Sequence, residues 1–341
     1  RTGEGVLSSF GLPGPGETDP TGMMTGFYVF LFGLMLADAA YGAIIAVACG
    51  VALLKFPRME KNLRASLGLF FWCGLSTLFW GVLFGGYFGD APDRIAETFF
   101  GVVLPEGKSV IPALWFVPLH DPMRLLMYSL LFGCIHLFTG LGIKGYLCIR
   151  NRDGTAFVCD VVFWFLLLFG LLLLLLPSSM FASMFGIAIR FPAAVTWISR
   201  GMALGGALGI LLSAGRRKGG RWGIRLALGA YDLYNVTGWL SDLLSYSRLL
   251  ALGLATGVIA SVVNQMGSMF GNSVFGVLLF LAVFVVGHTF NLAINLLGAY
   301  VHTCRLQYVE FFGKFYEGGG KAFAPFALNT KYVDLKGEHQ E

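Results

Sequence analysis

The stretch Leu243-Leu244-Ser245-Tyr246-Ser247-Arg248-Leu249-Leu250-Ala251-Leu252-Gly253-Leu254-Ala255 carries one charge in an otherwise uncharged run. It lies within an apolar segment of about 222–268, and a second long one covers about 273–316. A helix of ~46 residues would be about 70 Å long, more than twice the ~30 Å hydrocarbon core of a bilayer. Each is therefore strongly tilted, broken, or extended beyond the membrane, and Gly238 marks a candidate break in the first. Further apolar runs at about 22–54, 65–89, 121–148, 156–176 and 193–213 complete the pattern. The chain is 56% hydrophobic and 13% charged, against roughly 25% charged in a soluble domain. The fold class is all-α, a polytopic membrane helical bundle. Alternating segments of ~10 residues are absent, which argues against a barrel.

Arginine effectively never deprotonates, and at a membrane-helix centre it costs about 2.5–3.5 kcal/mol even on the lenient insertion scale. Arg248 is far from any basic loop, so snorkelling does not explain it. The last apolar segment adds His288, Asn291, Asn295, Gly298, His302 and Arg305, spaced by three and four and so on one helical face. A polar seam of this kind needs water or a polar partner opposite it. Ser241, Ser245, Arg248, Leu252 and Thr256 form a weaker line beside Asp242. Mid-helix serines commonly bond back to the preceding turn. Asp38 and Tyr41 lie deep in 22–54, and a lone His136 lies in the third run, where packing is its ordinary role. Gly201, Gly205 and Gly209 offer a small-residue face for close helix approach.

Basic loops set orientation. Lys55, Arg58, Lys61 and Arg64 form one, Lys144, Arg150 and Arg152 a second, and Arg216, Arg217, Lys218, Arg221 and Arg225 a third, with Lys314, Lys321, Lys331 and Lys336 in the tail. The regions near 90–120, 177–192 and 269–272 show no such excess, so the basic loops and the C-terminus read as cytoplasmic. The stretch 22–54 is either one span or a re-entrant hairpin bent near Asp38 to Gly42. An aspartate and a glycine in mid-run favour the irregular turn. Residues 1–21 are an irregular N-terminal segment, 22–316 the membrane domain and 317–341 a cytoplasmic tail.

The net charge of +5 arises in short loops and does not suggest nucleic acid. The six cysteines form no CxxC, so neither a metal site nor a disulfide framework is indicated. Gly318-Gly319-Gly320-Lys321-Ala322 fails the phosphate-loop spacing. No cofactor motif and no nucleotide hydrolysis site is evident. The chain begins with arginine, and a longer polypeptide is expected.

The segment Gly238-Trp239-Leu240-Ser241-Asp242-Leu243 through Arg248 to Ala260 resembles the signature of the a subunit (subunit I in prokaryotes) of the rotary V/A-type ATPases. Asp19-Pro20-Thr21, Leu31 through Gly42, and His302-Thr303-Cys304-Arg305-Leu306-Gln307-Tyr308-Val309-Glu310-Phe311-Phe312 are similar to it too. The likeness runs from about 13 to 326. It implies about eight membrane helices, two of them short and at the start, which favours the hairpin for 22–54. It implies a stator beside a rotor ring of c/K hairpin subunits in a prokaryotic plasma membrane. It further implies an N-terminal cytoplasmic domain, absent from this chain, that joins the peripheral and central stalks. Arg248 matches the family's essential arginine and Arg305 the second one. Together they would force ion release from a ring carboxylate, coupling H⁺ or Na⁺ movement to ATP hydrolysis or synthesis. Asp38, His288, Asn291, Asn295, His302, Asp242, Ser245 and Thr256 would line the ion path. Asn295 stands where relatives often carry glutamate, and Thr256 where some carry histidine. No buried acid is expected at the depth of Arg248, its partner being on the ring.

An ion-coupled secondary transporter is the alternative. Such folds usually show two related halves with interrupted helices, and no internal repeat is evident here. A purely structural anchor would tolerate loss of both arginines.

Overall fold

A computed structural model describes residues 2–14, 17–105, 107–213 and 222–321. The basic residues Arg216, Arg217, Lys218 and Arg221, and the tail residues Lys331 and Lys336, lie outside the described residues. The molecule is all-helical, and among the described residues no β-strand forms. Among the described residues six helices are long and apolar enough to cross a membrane, and two shorter apolar ones precede them.

Within the N-terminal segment expected to be irregular, helix α1 (Glu4–Phe10) forms around the buried Val6 and Leu7, and it leads into α2 (Thr21–Leu36), α3 (Ala39–Lys55) and α4 (Lys61–Phe84). These pack through glycine. A Cβ on Gly81 would sit 1.9 Å from the Ala39 nitrogen, one on Gly42 2.3 Å from that of Leu78, and one on Gly74 2.7 Å from that of Ala46. That pairing makes α3 antiparallel to α4. Gly33 meets Ser76, and Gly86 faces the Ala37 carbonyl, so α2 runs parallel to α4. Helices α2 and α3 therefore form a hairpin. Its turn is Ala37, left-handed at φ 41°, followed by Asp38 as N-cap of α3.

Next come α5 (Ala91–Phe100), α6 (Pro122–Arg150), α7 (Gly154–Phe157), a π-turn Val158–Val162, α8 (Phe163–Leu175), α9 (Ser179–Phe185) and α10 (Ala193–Ser213). Helices α8 and α10 meet through Gly170 and Gly206, whose added Cβ atoms would be 2.7 and 2.6 Å from opposing backbone nitrogens. Gly209 packs on Phe163, but Gly201 and Gly205 have nothing within 4 Å. The contact face is thus one residue round from the expected one.

The 222–268 stretch comprises α11 (Trp222–Tyr234), α12 (Val236–Ser245) and α13 (Ser247–Ser268). The breaks fall at Asn235 and Tyr246, not at Gly238, which lies inside α12. At Tyr246 the turn tightens, its N–H bonding the Leu243 carbonyl at 3.1 Å. The cause is packing. Its wholly buried ring lies on Gly133 of α6, where an added Cβ would be 2.6 Å away, and its hydroxyl reaches His136 Nδ1 at 2.6 Å. The last element, α14 (Val274–Arg305), continues as a π-turn Leu306–Phe311 and a 3-10 turn Phe312–Lys314.

Polar contacts mark the two ends of the bundle. At one, Arg150 donates to Thr18, Tyr316 to the Gly11 carbonyl, and Lys314 pairs with Asp242. At the other, Asn264 donates to the Phe88 carbonyl and Asn272 to that of Phe99. The core between them is aromatic and aliphatic, centred on α2: Tyr28, Phe32, Leu34, Met35, Leu249 and Phe311 are almost fully buried.

Candidate functional site

Two polar clusters lie along α13 and α14. The one beside α3 is a hydrogen-bonded chain with a defined direction. Asn264 gives its amide N–H to the Phe88 carbonyl at 2.7 Å and to Asp90 Oδ1 at 3.0 Å, leaving Oδ1 as an acceptor. His288 Nε2 lies 2.8 Å from that oxygen and must carry the proton. Its Nδ1 then accepts from the Tyr41 hydroxyl at 2.6 Å. The Tyr41 oxygen accepts from Asn291 Nδ2 at 2.8 Å, and Asn291 Oδ1 from Asn295 Nδ2 at 2.5 Å. Asn291 also donates to the Thr256 carbonyl at 3.2 Å, while the Thr256 hydroxyl bonds back to Leu252. Helices α3, α13 and α14 are thereby tied by neutral groups.

Asp38 sits beside this chain and is 2% exposed. Oδ1 accepts from the backbone N–H groups of Ala40, Tyr41 and Phe88 at 3.0, 3.2 and 3.2 Å, and Oδ2 from Gly89 at 2.8 Å. It clamps the N-terminus of α3 to the turn after α4, satisfying donors a helix start leaves free.

The second cluster surrounds Arg248, whose side chain is 24% exposed. Its Nη1 lies 3.8 Å from Glu310 Oε1, and Glu310 is 1% exposed. The expectation of no buried acid near Arg248 is therefore corrected. The signal was hidden by helix geometry. Continuing the α-helical seam from Arg305 would select Val309, which is exposed. The buried face runs instead through Asn295, Ala299, Thr303, Gln307 and Glu310, at ordinary helical spacings of three and four. Both amide atoms of Gln307, Glu310 Oε2, Arg248 Nη1, His136 Nε2 and His302 Nδ1 are buried without hydrogen-bond partners. Gln307 lies next to His136, whose ring stacks on Phe311 at 4.4 Å. His302 is close to both Arg248 and Arg305, and Arg305 is exposed. Asp242 pairs with Lys314, which also lies 3.9 Å over the Trp239 ring. Ser245 bonds back to Ser241 at 3.1 Å and lies near Glu310.

The seam read from spacing is thus divided. His288, Asn291 and Asn295 join Tyr41 and Asn264, whereas His302 and Arg305 join Arg248. Between them Leu252 lies against Gly298, and Leu249 and Ala299 are buried. The sequence reading missed Glu310, Gln307, Asn264, Asp90 and Tyr246 as members of these clusters. Among the described residues no group of three or more His, Cys, Asp or Glu side chains could hold a metal.

A bundle of long apolar helices with buried polar clusters defines a polytopic integral membrane protein. Residues 235–328, which include both arginines, match the V-type ATPase 116kDa subunit family. The A-type ATP synthase subunit I of Methanocaldococcus jannaschii is 34% identical over 97% of this chain and 48% of its own length. That of Thermococcus kodakarensis is 32% identical over 98% of the chain and 47% of its own. The V-type ATP synthase subunit I of Chlamydia trachomatis is 25% identical over 95% and 54%. The chain belongs to the V/A-type ATPase subunit a/I family, and it spans about half the length of these relatives.

Proposed function

We propose that this chain is the membrane part of a stator that lies against a rotor ring of hairpin subunits, and that Arg248 meets each ring carboxylate as it passes. The observation that carries this reading is a guanidinium in an apolar helix that is open on one side and lacks a full set of partners. Around it α12, α13 and α14 expose Leu244, Val258, Val262, Phe290, Ile294, Leu297 and Val301, an apolar face suited to a membrane-embedded partner. A positive charge within about 4–6 Å lowers a carboxylate pKa by roughly 1–3 units. A ring carboxylate beside Arg248 is held ionised, so it releases its ion to one aqueous path and reloads from the other. Arg305 adds to the same field.

The division of the polar residues supports two separate paths. His288, Asn291, Asn295, Thr256 and Asp38 belong to the outer one, and His302, Ser245 and Asp242 to the inner one. Leu249, Leu252 and Ala299 close the direct route between them. The basic ends face the cytoplasm in this reading, including the C-terminus, and 22–54 is a re-entrant hairpin. The remaining subunits of the ATPase, and an N-terminal cytoplasmic domain reaching its stalks, are the other partners.

ATP-driven ion pumping by the reconstituted complex is the test. Arg248→Ala should abolish it, a loss of at least about a hundredfold. Coupled pumping at the wild-type rate would reject the mechanism. Co-purification separates the transporter alternative: a ring of small hairpin proteins and soluble ATPase subunits should accompany this chain.

A further inference from the structure

We propose that Glu310 is a positioning residue that holds Arg248 from behind and trims the charge of the site to match a single ring carboxylate. The inference rests on the stator reading above and assigns a role to a residue that reading does not use. Arg248 and Glu310 differ sharply in exposure, 24% against 1% for their side chains. The carboxylate is therefore the inward partner, and the guanidinium lies between it and the open face. A guanidinium offers five N–H donors in a rigid fork. Glu310 engages one edge through a single 3.8 Å contact rather than a bidentate pair, and its Oε2 has no hydrogen-bond partner. The remaining donors are left for a second anion. A close bidentate pair would occupy the fork and compete with the ring.

Charge points the same way. Arg248 and Arg305 both act on His302 and so lie in one neighbourhood. Asp242 also lies near Glu310, but it is paired with Lys314 and adds no net charge. Two guanidiniums and the Glu310 carboxylate leave one positive charge, which one ring carboxylate neutralises. Without Glu310 two positive charges would face each arriving carboxylate. In a medium of low dielectric that excess holds the anion strongly, and departure of the carboxylate would become slow. Glu310 thus lets Arg248 be strong enough to ionise the ring group and weak enough to let it go.

The test uses the intact rotary complex reconstituted in vesicles. Glu310→Gln should slow ATP-driven pumping at least about tenfold with the number of ions moved per ATP unchanged. Adding Arg305→Gln to Glu310→Gln should restore most of the rate, since it removes the excess charge, an effect a merely structural role would not produce. A wild-type rate in Glu310→Gln, or a double variant as slow as the single one, overturns the inference. Isotope-edited infrared spectra of the unsubstituted complex give a readout independent of variant assembly. Glu310, identified against Glu310→Asp, should show an ionised carboxylate band, and a protonated carbonyl band overturns the inference. Arg248→Ala in the same vesicles separates the two readings. If it pumps normally the stator mechanism itself fails. If it is inactive while Glu310→Gln pumps normally, only the role of Glu310 is rejected.

Discussion

Asp38 and Arg248 are both ionisable groups placed in apolar surroundings, but their settings differ. Asp38 takes four backbone N–H donors from two segments and forms no ion pair among the described residues. Its tie is to architecture, because it joins α3 to the turn that also contributes Gly89 and Asp90. Asp38→Ala would leave those donors buried and unpartnered, at about 1–3 kcal/mol for each group left unsatisfied. A loss of at least about 3 kcal/mol, read as a lower unfolding temperature of the purified protein in detergent, is expected. Asp38→Asn, which keeps an acceptor, should lose less. Unfolding of Asp38→Ala at the wild-type temperature would show that the clamp is not needed. Arg248, by contrast, has one long contact and an open side, which suits a partner that comes and goes.

At the scale of elements, glycine sets how closely helices approach, and the approach sets which side chains meet. The α3–α4 contact places Tyr41 where it can bridge His288 and Asn291. Gly81→Ala would drive a Cβ into the Ala39 backbone nitrogen, a contact that only backbone movement can relieve. Overpacking of this kind costs about 1–3 kcal/mol. Gly201→Ala on α10, with nothing within 4 Å, is the matched control and should change stability by no more than about 0.5 kcal/mol. Equal unfolding temperatures for the two variants would refute the packing argument. The end of α14 is the other decisive element. Its buried face runs through Ala299, Thr303, Gln307 and Glu310, so Glu310 rather than the exposed Val309 meets Arg248.

For the whole molecule, the bundle has two chemically different ends. Thr18, Arg150, Asp242 and Lys314 gather at one, and Asp90, Asn264 and Asn272 at the other. With the basic end in the cytoplasm, an impermeant thiol reagent added outside should reach a cysteine at Val103, which is 91% exposed. It should not reach one at Lys61. A background with the six native cysteines replaced makes the measurement clean. Labelling of Lys61→Cys alone would invert the orientation.

Hydropathy and spacing were enough to make this chain a helical membrane bundle, because a spanning backbone must satisfy its hydrogen bonds within each helix and show lipid an apolar surface. The same reading isolated Arg248, Arg305 and the His288 to Arg305 series, since charge and amide groups stand out against leucine and phenylalanine. Only the tertiary structure decided which of those groups meet. The breaks at Asn235 and Tyr246, the division of the seam at Leu252 and Gly298, and the pairing of Arg248 with Glu310 all depend on contacts between distant segments. Tyr246 interrupts its helix where Gly133 makes room for its ring, and Glu310 lies inward because the neighbours of α14 cover the face of Ala299 and Thr303 rather than that of His302 and Arg305. A period of 3.6 residues describes a helix alone and does not say which of its faces the neighbours will cover.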